Sequence, residues 1–140
     1  DCFRRHGAEP EQICCGITET AAISHLKEAR DFIERLVNVG CCFALDDFGV
    51  GMSSFSYLKN LPVAFIKIDG GFVRSMMQNR VDRGMVEAIN RIGHEMNLKT
   101  IAEHVETPEI LAALTAMGVD YAQGWAIARG RPFDALTPIA

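Results

Sequence analysis

Short apolar runs alternate along this chain with longer stretches of helical period, and a charged or turn-forming residue stands at almost every junction. Ile13 to Thr18 predicts a strand that ends at Glu19. From Thr20 to about Val39 the apolar positions Ala22, Leu26, Ala29, Ile33, Leu36 and Val37 repeat every 3.6 residues, which predicts one helix, and Gly40 follows where a left-handed cap is wanted. Cys41 to Leu45 reads as a buried strand with Asp46 and Asp47 at its tip. Phe48 to Ser54 has the glycine and serine content of a loop, with Ser53 or Ser54 capping a short helical segment that Pro62 closes. Val63 to Ile68 is the next strand and carries Lys67 and Asp69 at its end. Phe72 to Asn79 leads into a helix from about Val81 to Met96, with Met85, Ile89, Ile92 and Met96 on one face and Asn97 as its stop. Lys99 to Val105 predicts a fourth strand, with Glu103 and Glu106 at its end. Thr107, Pro108 and Glu109 open a last helix that Gly118 terminates, and Tyr121 to Ile127, with Gln123, predicts a fifth strand.

Strands that alternate with helices in this way define a parallel α/β arrangement. Right-handed crossovers then bring all the strand C-terminal ends to one side. The residues gathered there are Glu19, Asp46, Asp47, Lys67, Asp69, Glu103, Glu106 and Gln123, which is how an active site is built at the mouth of a barrel. Neighbouring side chains on a strand face opposite ways, so Asp46 and Asp47 share a pocket only if the chain turns between them, and the glycine loop is expected to provide that turn. Two adjacent carboxylates repel, which a shared proton or a cation relieves. An oxygen-only ligand set suits Mg²⁺ or Mn²⁺.

Composition narrows the class. With 140 residues, 49% of them hydrophobic, the chain makes one globular unit, and it holds no apolar run near the roughly 20 residues a membrane helix needs. A net charge of −4 with no basic stripe argues against a nucleic-acid polymer as partner. Asp1 to Glu11 is polar and charged, without a signal-peptide pattern, so residues 1–12 read as a leader or inter-strand segment of a chain that begins mid-protein, ahead of a unit at 13–140. The cysteines, Cys2 and the vicinal pairs Cys14-Cys15 and Cys41-Cys42, lack zinc spacing and read as small buried hydrophobes in a reducing cytoplasm. His6, His25 and His94 read as surface residues. Trp125 reads as packed under the barrel mouth, with stacking on a ligand's ring as the alternative.

The segments ITET, ALDDFGVGMSSFSYLKNLPVAFIKIDGGFV, TIAEHVET and YAQGW, in this order, resemble the C-terminal part of an EAL domain, and the likeness runs from Ile13 to Pro132. The resemblance implies a TIM-like (β/α) barrel, of which this chain supplies about five βα units. It also implies a two-metal site for Mg²⁺ or Mn²⁺ that hydrolyses one phosphodiester of cyclic di-GMP to linear pGpG in bacterial second-messenger signalling. Carried over by position, Glu19, Asp46, Asp47 and Glu103 are metal residues, with Asp46 bridging. Lys67 acts on the attacking water or phosphate, with Asp47 and Glu103 in the catalytic group, and Asp69, Glu106 and Gln123 are supporting or substrate-binding residues.

Five strands of a barrel leave two unpaired edges, so self-association or a homodimer is expected, and an upstream sensory or GGDEF domain is a further expectation. The resemblance implies a cytoplasmic location too, with any membrane anchor outside this chain. The sequence departs from the family pattern as well. The Glu-Ala-Leu motif and the asparagine that complete the first metal's shell lie upstream of everything present here, so the 140 residues alone are expected to be inactive. His104 stands where the family has glycine, and is read as packed or solvated, while Met52 replaces a loop tyrosine. The alternative reading is a catalytically inactive cyclic di-GMP receptor. The retained acids favour the enzyme.

Overall fold

The computed structural model describes residues 2–50 and 55–132, so Met52, Ser53 and Ser54 lie outside the described residues. Five parallel strands, β1 (Cys14–Thr18), β2 (Cys42–Phe48), β3 (Phe65–Ile68), β4 (Lys99–Ala102) and β5 (Tyr121–Ala122), form one sheet in strict chain order. Between them run α2 (Glu19–Ser24), α3 (Leu26–Val37), α4 (Gly70–Ser75), α5 (Arg80–Glu95) and α6 (Pro108–Ala116), after a first short helix α1 (Cys2–His6). Short 3₁₀ turns occupy Pro10–Gln12 and Phe55–Asn60. No described helix is long and apolar enough to cross a membrane.

The helix expected from Thr20 to Val39 is two helices. His25 leaves the helical region at φ −140° and ψ 57°, and the Ser24 hydroxyl donates back to the Thr20 carbonyl at 2.8 Å, the local competition by which serine disturbs a helix. The N-cap of the first piece is Thr18, whose side chain accepts from the Ala21 amide. Gly40 does take a left-handed backbone, φ 114°. The face of α5 that meets the sheet is centred on Val86, Ile89 and Gly93 rather than on Met85, Ile89 and Ile92. Gly93 is there because a Cβ would stand 2.8 Å from Thr100 Cγ2 on the strand below. Strands β4 and β5 stop before the expected Val105 and Ile127 because the chain turns at His104 and at Gly124, both at positive φ.

The core lies between the sheet and the helices. Phe43, Leu45, Ile66, Ile68 and Ala102 meet Ile33, Val86, Ile89 and Leu114, all at most 1% exposed, and each large side chain contributes about 1.5–3 kcal/mol by leaving water. The opposite face is thinly covered. In register across the strands stand Cys14 with Cys42, Ala44 with Phe65, and Ile101 with Tyr121, and the Phe65 and Tyr121 rings meet edge to face at 6.0 Å. The cysteines are therefore not uniformly buried as expected: Cys41 is buried, whereas Cys14 is exposed on this second face. Among the four described cysteines no disulfide forms. Partial desolvation by its neighbours and the Cys42 thiol push the Cys14 thiol up to about 12, which leaves it a thiol at neutral pH.

At the end of the sheet away from the acids, Asp120 ties three elements together. Its carboxylate accepts from Lys99 Nζ at 2.7 Å, from the Thr100 amide at 3.0 Å and lies 2.7 Å from His94 Nε2. Thr100 Oγ1 in turn donates to the buried Asn90 side chain at 2.6 Å. Burial alone would raise the Asp120 carboxyl, but Lys99, the Thr100 amide and His94 outweigh it and hold it well below the usual carboxylate range. A group depressed in the folded state stabilises above its unfolded pKa of about 3.9 and loses that contribution as pH falls from there through the native value. Asp120→Asn should therefore cost about 2 kcal/mol at neutral pH, the scale of a lost charged hydrogen-bond acceptor. Thermal melts against pH should show the gap to wild type closing in acid; a gap constant down to strong acid would contradict the assignment.

Candidate active site

The C-terminal ends of the strands converge as the alternation requires, and one irregularity sharpens the site. Strand β2 continues through both acids to Phe48, and its register to β3 shifts between Leu45 and Phe48. Asp47 takes the left-handed backbone there, φ 53°. This bulge, rather than the glycine loop after it, lets two consecutive side chains share one side of the strand end. Asp46, Asp47 and Glu103 each offer an oxygen within 4.8 Å of the others. Three hard oxygen donors so placed fit a divalent cation such as Mg²⁺ or Mn²⁺.

Lys67 lies between two of these acids. Its Nζ is 2.9 Å from Asp46 Oδ1 and 2.7 Å from Glu103 Oε1, and Gln123 Nε2 donates to the same Glu103 oxygen at 2.9 Å. Burial raises the Glu103 carboxyl, with the Asp46 charge adding to it against the opposing Lys67 ammonium, and the net direction is upward. Asp46 goes the other way: burial lifts it, but the Lys67 hydrogen bond and charge, with the Asp47 amide, pull it below its ordinary value. Burial disfavours the Lys67 ammonium, yet the two carboxylates more than compensate and raise its pKa, so it stays charged. The separation of the two acids is what one cation shared between two like charges produces.

Glu19 stands apart from the three-acid group. Only 2% exposed, it accepts from the Tyr57 hydroxyl at 2.5 Å through Oε1 and from the Gly49 amide at 3.0 Å through Oε2. Burial and the Glu19 charge raise the Tyr57 phenol, so it remains a donor. Glu19 thus fixes the start of the chain after β2 to the 3₁₀ turn that follows. Tyr57 went unnoticed in the sequence, where its only signal is a hydroxyl at an otherwise apolar turn of SFSYLKN. Asp69 caps α4 by accepting from the Gly71 amide at 2.8 Å.

Past β4 and β5 a cavity of about 180 Å³ adjoins the acids and is lined by His104, Glu106, Gln123, Gly124 and Trp125. His104, at φ 52°, occupies a backbone region that glycine enters without strain, and its ring lies so close over Gly70 that no Cβ fits there. Gly124, at φ 155°, is pressed onto the Val105 backbone, while Val105 N–H donates to the Gln123 carbonyl and Ala126 N–H to that of Val105. Trp125 is not packed under the barrel mouth as expected: it is 68% exposed, with the Arg129 guanidinium 5.2 Å from its ring centroid. A roomier groove of about 590 Å³ beside Arg91 and His94 lies among the outer helices, away from the strand ends that carry the acids.

A TIM-barrel-like α/β sheet with a carboxylate and ammonium site at its strand ends is the class that this geometry defines. The family model described as "EAL domain" matches residues 1–130, and the chain belongs to the EAL domain family. Relatives include the cyclic di-GMP phosphodiesterase PdeB of Shewanella oneidensis, 42% identical over 120 residues, which cover 86% of this chain and 14% of that protein. Another is the cyclic di-GMP phosphodiesterase PdeF of Escherichia coli, 35% identical over 136 residues, covering 96% of this chain and 18% of the relative. Among solved structures, the PaMucR phosphodiesterase in complex with c-di-GMP superposes with a TM-score of 0.91 at 36% identity, covering 94% of this chain and 53% of that one. The FimX EAL domain from Pseudomonas aeruginosa bound to c-di-GMP gives 0.82 at 32% identity, over 89% and 51%. The chain therefore spans less than a fifth of these curated relatives and about half of these structures.

Proposed function

We propose that this chain carries part of the active site of a metal-dependent phosphodiesterase that hydrolyses cyclic di-GMP to linear pGpG. The observation that carries this reading is the Asp46, Lys67 and Glu103 unit with Asp47 beside it, supported by the relatives named as cyclic di-GMP phosphodiesterases. Asp46, Asp47 and Glu103 would hold the cation, with Glu19 brought in from its Tyr57 and Gly49 contacts. A bound Mg²⁺ or Mn²⁺ would acidify the attacking water and stabilise the charge of an in-line displacement. Lys67 places a fixed positive charge beside the reacting phosphate, where negative charge develops. Glu103, raised by burial and held by Lys67 and Gln123, is poised to accept a proton from the attacking water. Gln123 orients Glu103. Cytoplasmic action, and regulation by a sensory or GGDEF domain elsewhere in the protein, belong to the same proposal.

The test is to incubate the intact protein with cyclic di-GMP and Mg²⁺ or Mn²⁺ and to follow pGpG by chromatography. Turnover that chelation stops is expected; tight binding without turnover would identify a receptor instead. The 140 residues by themselves should behave differently. Among the described strands, β1 and β5 each pair on one side only, and such edges, with a thinly covered sheet face, invite pairing with another copy. Light scattering over a range of concentrations should show self-association, and no hydrolysis should accompany it. A monomer that turns over substrate would refute both points.

A further inference from the structure

Two cysteines stand apart from the chemistry of the acids. In the ladder between β1 and β2, Cys14 faces Cys42 directly, on the thinly covered side of the sheet. Gly16 pairs with Ala44 two residues further along, and Thr18 with Asp46 two beyond that. The thiols therefore lie about 13 Å along the strands from the carboxylate end, at ~3.3 Å per residue. Neighbouring strands run about 4.8 Å apart, and here the Cys14 thiol is hydrogen-bonded to that of Cys42. Cys42 Sγ also donates to the Ile13 carbonyl at 3.7 Å, which holds it toward β1. Packing does not account for this pair, because Cys14 is exposed and Cys42 only half-buried.

Two sulfurs in contact suit a soft metal ion. Thiolates select Cu(I) or Zn²⁺, whereas the oxygen set at the other end of the strands suits Mg²⁺ or Mn²⁺. The number of ligands then decides between the soft ions. Cys15 and Cys41 cannot join Cys14 and Cys42 on one ion, since successive side chains of a strand face opposite ways: Cys15 packs against the core on the helix side and Cys41 is buried. Among the described residues, no group of three metal-binding side chains includes either thiol of the pair. A structural Zn²⁺ site closes four positions, while Cu(I) is satisfied by two sulfurs in line. We propose that Cys14 and Cys42 form a two-coordinate site for a soft monovalent cation, Cu(I), which bridges β1 and β2 at the end of the strands opposite the acids. Two Cu–S bonds form, two thiol protons pass to water, and no electron moves. The closeness that keeps the Cys14 thiol protonated becomes favourable once a cation is shared between the sulfurs.

The probe is Cu(I) itself, titrated without oxygen into the intact protein against bicinchoninate, a chelator whose colour reports the ion it gives up. Wild type should hold one equivalent that Cys14→Ser and Cys42→Ser hold more than about 100-fold less tightly, beyond the 10–100-fold that loss of an outer-shell partner costs. Cys15→Ser, on the other face, should keep that equivalent. Thermal melts separate a lost ligand from a lost fold: without metal Cys14→Ser should melt with wild type, and Cu(I) should raise the midpoint of wild type alone. X-ray absorption of wild type loaded with one equivalent needs no variant and should show two sulfur neighbours around copper. Equal retention of Cu(I) by wild type and both serine variants would overturn the site. So would a copper shell containing nitrogen, oxygen or a third sulfur, or Zn²⁺ held by the pair as firmly as Cu(I).

Discussion

Asp46→Asn should abolish Mg²⁺- or Mn²⁺-dependent hydrolysis of cyclic di-GMP in the intact protein, with a loss of about 10³-fold or more in kcat. The substitution keeps the shape of the side chain and removes its charge. Asp46 belongs both to the three-oxygen group and, through Oδ1 at 2.9 Å, to the Lys67 ion pair, a double role it shares with Glu103. An amide in its place weakens the hold on any cation and leaves Lys67 leaning on Glu103 alone. Because a carboxylate held below its ordinary pKa is charged at neutral pH, no pH in the working range should restore the variant. A mutant with near-normal turnover would remove Asp46 from the centre of the site.

Lys67→Ala should lower kcat by about 10²-fold, the scale of one lost electrostatic donor. Metal affinity should not fall. The ammonium occupies oxygens of Asp46 and Glu103 at 2.9 and 2.7 Å, so it competes with a cation for the same charge, and its removal leaves two like charges that a divalent ion can relieve. A Mn²⁺ titration beside the kinetics separates the roles. If Mn²⁺ binding collapses while turnover at saturating metal stays normal, Lys67 is a spacer that holds the acids apart and has no part in the chemistry.

The placement of acids at strand ends was legible because strand periodicity and boundaries carry it. Apolar runs that stop at Glu19, Asp46, Lys67 and Glu103 leave little freedom once the strands are parallel. Thr107 and Pro108 were equally plain, since capping chemistry is local, and Thr107 does accept from the Ile110 amide. What escaped is what depends on distant partners or on one residue's backbone. The break at His25 follows no period. Asp47 gives no sign that it turns left-handed, a state non-glycine residues seldom enter. Tyr57 and Glu19 meet across 38 positions, and Asp120 gathers Lys99, Thr100 and His94 from across a strand and a helix. Trp125 looked like core material because large aromatics usually are. Only the turn at Gly124 puts it outside.

The strict chain order of the sheet bears on how the protein is made. Each strand from β2 onward lies beside the one synthesised just before it, so no strand waits for a distant partner while its successors emerge. The growing chain can add one strand and its covering helix at a time, each new strand pairing with the edge left by the one before. The Glu19 contact with Tyr57 closes early in that sequence, before β3 is complete. The ion pair between Lys67 and Glu103, by contrast, forms only once the fourth strand arrives. The ribosome thus delivers a scaffold first and an electrostatic centre last, which spares the nascent chain from holding three crowded acids before the lysine that balances them has a place to sit.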